Sequence, residues 1–167
     1  MPGPIDLVAA RPAGQTAYDQ QLLEQYKLYV EMTDRMATRR QTASTFFLTM
    51  NTALVSFMAL TWTKDDTGSL RVALIAMAIA GTVVCVVWRR LVSSYRQLNT
   101  GRYQVLHLVE EQLPLRLHAY EWQVLGEGKD PSKYHPLTHI ESVVPLVFAV
   151  LYVLISLVIL AALLGSR

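Results

Sequence analysis

Three apolar runs, Ala43 to Trp62, Val72 to Trp88 and Val143 to Gly165, carry no acidic or basic side chain between their limits. A membrane-crossing helix needs about 20 mainly apolar residues, with a lower limit near 17. The first and third runs meet that length easily; the second meets it at the short end. A buried helix of a water-soluble protein rarely shows this pattern, and three such runs in one short chain predict an all-α integral membrane protein. The expected order is a disordered tail over 1–15, an amphipathic helix over 16–42, spans at 43–62, 72–88 and 143–165, a short turn at 63–71 and a polar helical segment at 89–142.

Composition agrees with this reading. Hydrophobic residues make up 52% and charged residues 17%, and the net charge is only +2. The basic residues cluster at the ends of the apolar runs instead of forming a stripe, which gives no reason to invoke nucleic acid. The single Cys85 lies within the second run, so no intrachain disulfide forms, and it reads as a small packing residue. What remains outside the spans is too scattered for an independent soluble domain. Met1 to Gly14 holds three prolines and no apolar core of a signal peptide, so an uncleaved, loosely packed tail is expected.

Orientation follows from the excess of basic residues on the cytoplasmic side of membrane proteins. Lys27, Arg35, Arg39 and Arg40 precede the first span, and Arg89, Arg90, Arg96 and Arg102 follow the second. In the turn between these spans, Lys64 and Arg71 are offset by Asp65 and Asp66. The N-terminus and the 89–142 segment are therefore expected in the cytoplasm, and the C-terminus outside. Trp62 and Trp88 fall at span ends, where amphipathic rings prefer to lie.

The polar segments look like continuations of the spans. No Gly or Pro interrupts Thr16 to Arg40, and Tyr18, Leu22, Tyr29, Met32 and Met36 recur at helical spacing. With the first span, this helix would be about 47 residues and roughly 70 Å long. Glu24, Lys27, Glu31 and Arg35 share another face at pairing distance. Ion pairs between helices are expected to link Glu31 with Arg35, Arg39, Arg40 or Arg96. The second span runs on from Arg89 to Leu113, with Leu91, Tyr95, Leu98, Val105 and Val109 at heptad positions and Arg102 as the polar exception. Pro114 marks its expected end. His118 to Leu125 predicts a short helix with Trp122 and Leu125 inward, followed by a loop at Gly126, Gly128 and Pro131. The third span is capped either by Thr138, in a capping box with Glu141, or by Ser142. The first choice places Pro145 inside the helix, the second in its first turn.

Within the first span, Thr42, Thr45, Thr49, Thr52 and Ser56 are spaced 3, 4, 3, 4 and line one seam. Hydroxyls let membrane helices approach and bond across a contact, often for only about 0.6 kcal/mol each. The seam is therefore either a helix contact or the lining of an aqueous path. Asn51 lies off the seam, and its amide demands a hydrogen-bond partner on another helix. Ala73, Ala76, Ala80 and Gly81 form a small-residue face suited to close packing.

Candidate chemistry is sparse. His135 and His139 stand four apart with Glu141 nearby, but Pro136 disfavours a helical pair and no further His or Cys completes a tetrahedral set. His107 with Glu110 and Glu111 reads as a solvated pair. The Gly126-Glu127-Gly128-Lys129 turn lacks the spacing and Ser/Thr of a phosphate-binding loop. No nucleophile–base pairing stands out, so neither an enzymatic activity nor a cofactor is expected.

The run Tyr26-Lys27-Leu28-Tyr29-Val30-Glu31-Met32, with Asp34-Arg35, Arg39-Arg40, Phe46-Phe47-Leu48 and Asn51, resembles the opening of the RipA-type family of small octameric bacterial membrane proteins. The likeness continues through Ser94-Tyr95-Arg96-Gln97-Leu98-Asn99, Glu121-Trp122, Leu125-Gly126, Tyr134, Pro136-Leu137-Thr138 and Ile140-Glu141. It implies a bacterial inner-membrane protein that assembles with itself as an octamer among membrane lipids. It carries no reaction. Two functions are compatible: a ring-forming scaffold in envelope or stress homeostasis, and an oligomeric channel with a Thr/Ser-lined or Arg-ringed pathway.

Overall fold

The computed structural model describes residues 15–62, 68–129, 132 and 137–165. Helix α1 covers Gln15–Trp62, α2 Gly68–Glu110, α3 Leu117–Val124 and α4 Leu137–Gly165, with one 3₁₀ turn at Gly126–Gly128 between α3 and α4. Three of these, α1, α2 and α4, are long and apolar enough to cross a membrane. Residues 1–14 of the tail expected over 1–15, most of the turn at 63–71, Pro131 and His135 lie outside the described residues, and Gln15 already belongs to α1.

Helix α1 is unbroken over 48 residues because it contains neither Gly nor Pro, and at 1.5 Å per residue it is about 72 Å long. Several of its hydroxyls bond back into the helix. Thr33, Thr38, Thr42, Thr52 and Thr61 each donate to the carbonyl four residues back. Helix α2 stops at Glu110, three residues before the expected Leu113. Pro114 disfavours helical geometry at the residue before it. The chain instead tightens into a turn, with Gln112 N–H donating to Val109 O and Leu113 N–H to Glu110 O.

Helix α2 is the central element, packing against both α1 and α4. Its buried stripe in the spanning half is Leu74, Ala78, Gly81, Cys85, Trp88 and Val92, at alternating steps of four and three. Within the protomer, the small-residue face expected from sequence divides. Gly81 is buried, but Ala73, Ala76 and Ala80 lie on a different face and are exposed. The core joins Met58 of α1, Leu74, Ala78 and Cys85 of α2, and Tyr152 and Ile159 of α4. At the Trp62 end, Arg71 donates to Ala162 O in the last turn of α4, at 2.8 Å, where helix carbonyls lack partners.

Two local expectations change. Helix α4 begins at Leu137, ahead of both proposed caps, so Thr138 and Ser142 lie within it and Pro145 falls inside the helix. Pro145 offers no N–H to the carbonyl of Glu141. Trp122 is 43% exposed and does not point inward. Its ring instead covers a left-handed turn in which Gly126, Glu127 and Gly128 have φ of 67°, 55° and 70°. A Cβ at Gly128 would stand 3.0 Å from that ring, so glycine is favoured there both by φ and by space.

Candidate functional site

The first polar cluster lies among the spanning segments. Asn51 of α1 is 1% exposed, and its Nδ2 donates to Phe47 O at 2.8 Å within the same helix. Its Oδ1 accepts from Tyr152 Oη of α4 at 3.1 Å and from Cys85 Sγ of α2 at 3.3 Å. The donors and acceptors around the amide fix which end is nitrogen. Both polar atoms of the Asn51 side chain are hydrogen-bonded, and its Oδ1 joins the three spans. Cys85 thus does more than fill space, since its thiol is one of the two interhelical donors. Tyr152 enters because Gly81 leaves room for its ring.

At the Trp88 end, the Phe47 and Trp88 rings stack at 5.7 Å and 11°. Trp88 is 3% exposed, so it sits between helices instead of facing the membrane interface. Arg40 Nε of α1 lies 3.6 Å from Glu141 Oε2 of α4, with both side chains largely covered. Glu31 pairs within its own helix, accepting from Arg35 at 2.6 Å. Within the protomer, the pairing between helices is that of Arg40 with Glu141, and Glu31 takes no part in it. Arg102 reaches from α2 to Met32 O of α1 at 3.1 Å. Arg39 and Arg96 are exposed, and neither forms a salt bridge among the described residues.

The third cluster was hidden in the sequence. Glu110, the last residue of α2, is 0% exposed. Its Oε1 accepts from Tyr26 Oη of α1 at 2.8 Å, from His118 N–H at 2.9 Å and from His118 Nδ1 at 2.9 Å, while Oε2 accepts from Ala119 N–H at 3.1 Å. Helix α3 has no side-chain cap of its own at Arg116. Glu110 supplies that cap from another helix, satisfying two free N–H groups at the positive end of α3. Burial works to raise the Glu110 pKa, but the His118 backbone and imidazole, Tyr26 and Ala119 N–H outweigh it and hold it at about 2. Burial first, and then the bond to Glu110, push Tyr26 up to about 12. The solvated His107–Glu110–Glu111 group read from sequence is thereby corrected: Glu110 bonds to Tyr26 and His118, 84 and 8 residues away. Only Glu111 of the three is exposed.

Thr45, Thr49, Thr52 and Ser56 are all exposed on the protomer, so the seam faces away from α2 and α4. Two grooves accompany these features. One, about 320 Å³, is apolar and opens between α1 and α4 near Trp62, lined by Val55, Met58, Leu154 and Val158 among others. The other, about 210 Å³, is polar and runs between α1 and α2 beyond the spans, lined by Asp34, Arg40, Tyr95, Asn99 and Arg102 among others. No cluster of His, Cys, Asp and Glu suited to a metal occurs among the described residues; His135 lies outside them, as does the His139 side chain.

Among the described residues, these polar clusters join helices to one another. No curated protein and no solved structure matches the chain. Residues 23–161 match a family whose description is octameric membrane protein family (8xMP). Three apolar helices joined by an intramembrane amide and covering most of that match make this chain a member of the octameric membrane protein family.

Proposed function

We propose that the chain is the subunit of a closed homo-octameric ring in the inner membrane of a bacterium, acting as a non-enzymatic scaffold in envelope or stress homeostasis. One observation carries this reading. Outside the spans, Leu28 is 60% exposed, Met32 51%, Leu98 45% and Leu108 48%. Apolar surface on a segment that stands in water is covered by association, and family membership supplies the number of copies. Basic residues at the Trp88 end favour a cytoplasmic location for the α1 and α2 extensions and for α3, with the C-terminus outside.

Leu28→Glu with Met32→Glu tests the reading. Detergent-purified protein is expected to shift to smaller species by mass measurement while its helix content is unchanged. An intact octamer would remove the extensions from the interface. Reporter fusions at Met1 and Arg167 are expected in opposite compartments, and finding both on one side would reject the orientation.

The exposed hydroxyl seam favours a second reading, an oligomeric channel. Thr49→Leu with Thr52→Leu separates the two. Loss of assembly places the seam at a contact between copies. Loss of ion flux with the octamer intact places it along a conducting path.

A further inference from the structure

Two exposed apolar stripes on the membrane-spanning bundle each end on an arginine. On α1 the stripe is Leu60, Phe57, Ala53 and Phe46, followed by Arg39; on α2 it is Ile79, Val83 and Val86, followed by Arg90. Steps of three, four and seven residues keep each series on one face of its helix. Arg89 stands beside Arg90, and these three arginine side chains are exposed, with no salt bridge among the described residues. Within the protomer, no acidic side chain among the described residues forms a salt bridge with them. From Arg89 to Val109, α2 carries no carboxylate. Glu31 and Glu141 are engaged by Arg35 and Arg40, and Asp34 lines the polar groove with Arg40 and Arg102.

A guanidinium at the edge of a hydrocarbon layer has lost water on one side and binds phosphate through a fork of parallel N–H bonds. The stripe leading to it needs an apolar cover of matching length. One molecule class supplies both. We propose that Arg39, Arg89 and Arg90 hold the headgroup phosphates of anionic phospholipids whose acyl chains lie along these two stripes. Three positive charges with no salt bridge among the protomer's described residues select a lipid of net negative charge over a zwitterionic one, although both carry phosphate. Each basic residue near an anionic surface contributes about fivefold in affinity.

The full-length chain in detergent is titrated with phosphatidylglycerol or phosphatidylcholine, and retained lipids are counted by native mass spectrometry. Wild type is expected to retain phosphatidylglycerol at a concentration about tenfold or more below that needed for phosphatidylcholine. Arg39→Gln, Arg89→Gln and Arg90→Gln together remove the difference, and the corresponding lysine variant keeps part of it, which guards against a variant that merely misfolds. Equal retention of both lipids by wild type overturns the proposal, as does a preference that survives the glutamines. Displacement of phosphatidylglycerol by inorganic phosphate identifies a soluble-anion site and rejects the lipid. A change in oligomeric mass that is the same with either lipid assigns the arginines to a contact between copies, and also rejects it.

Discussion

A Cβ placed on Gly81 of α2 would lie 2.5 Å from Cζ of the Tyr152 ring of α4, well inside contact distance. The ring has nowhere to retreat, because Tyr152 is fully buried and its hydroxyl bonds to Asn51 of α1. One missing methyl group therefore sets how closely the two most extensively packed helices approach. Gly81→Ala is expected to destabilise the folded chain by about 1–3 kcal/mol, as overpacking does elsewhere. Thermal unfolding in detergent measures this, and an unchanged midpoint would show that the ring does not occupy this position.

The hydrogen bond between Tyr152 and Asn51 is open to a double-mutant cycle. Tyr152→Phe keeps the ring and removes the hydroxyl, leaving the weak Cys85 thiol as the remaining interhelical donor to the Asn51 Oδ1. Bonds of this kind between membrane helices average about 0.6 kcal/mol and reach about 1.7. Crossing Tyr152→Phe with Asn51→Ala is expected to give a coupling energy in that range, read from unfolding midpoints. Strict additivity would mean the two side chains act independently.

Acid should loosen α3 through Glu110. Its pKa falls from 4.5 to about 2 on folding, so between these values the unfolded chain binds more protons than the folded one. The stabilisation is complete above about pH 4.5 and is lost as pH falls toward 2, amounting to about 3 kcal/mol. Tyr26 acts with the opposite sign. Its pKa rises from 10.0 to about 12, so its contribution is complete below pH 10 and fades as pH climbs to 12. Hydrogen-exchange protection of the α3 amides, corrected for intrinsic rates, is expected to be flat between these limits. Glu110→Gln should lower that plateau and abolish the acid limb. A limb that persists in the variant would assign it to another group.

Reversing the pair that joins α1 to α4 gives a separate test. Arg40→Glu alone places two carboxylates within a few ångströms in a largely covered site. Adding Glu141→Arg is expected to recover most of the loss, by about 1–2 kcal/mol, since the pair is more shielded than a surface ion pair worth about 0–1. Failure of the second change to rescue the first would mean that the two groups do not sense each other.

Apolar run length made the three spans legible, and the absence of Gly and Pro foretold the reach of α1. Asn51 announced that it needed a partner, because an amide in hydrocarbon has no water to turn to. The sequence did not reveal that the partners would be Tyr152 and Cys85, since that depends on how α2 and α4 are rotated. Glu110 was misread for the same reason. Its neighbours His107 and Glu111 suggested a wet helix surface, but the decisive contacts come from α1 and from α3 after the chain has turned back. The capping pattern at Thr138 failed because the helix already includes Leu137, one residue before the expected boundary. Local pattern identifies elements; side-chain partners require the angle at which those elements meet.

The unbroken hydrogen-bond ladder of α1 has a mechanical corollary. About 28 residues, or roughly 42 Å of helix, project beyond its apolar run. A rod of that length with no joint turns a tilt of about 5° in the bilayer into a sideways travel of about 4 Å at its free end. Spans tilt to match the thickness of the bilayer around them, so lipid composition alone would change the spacing between neighbouring extensions.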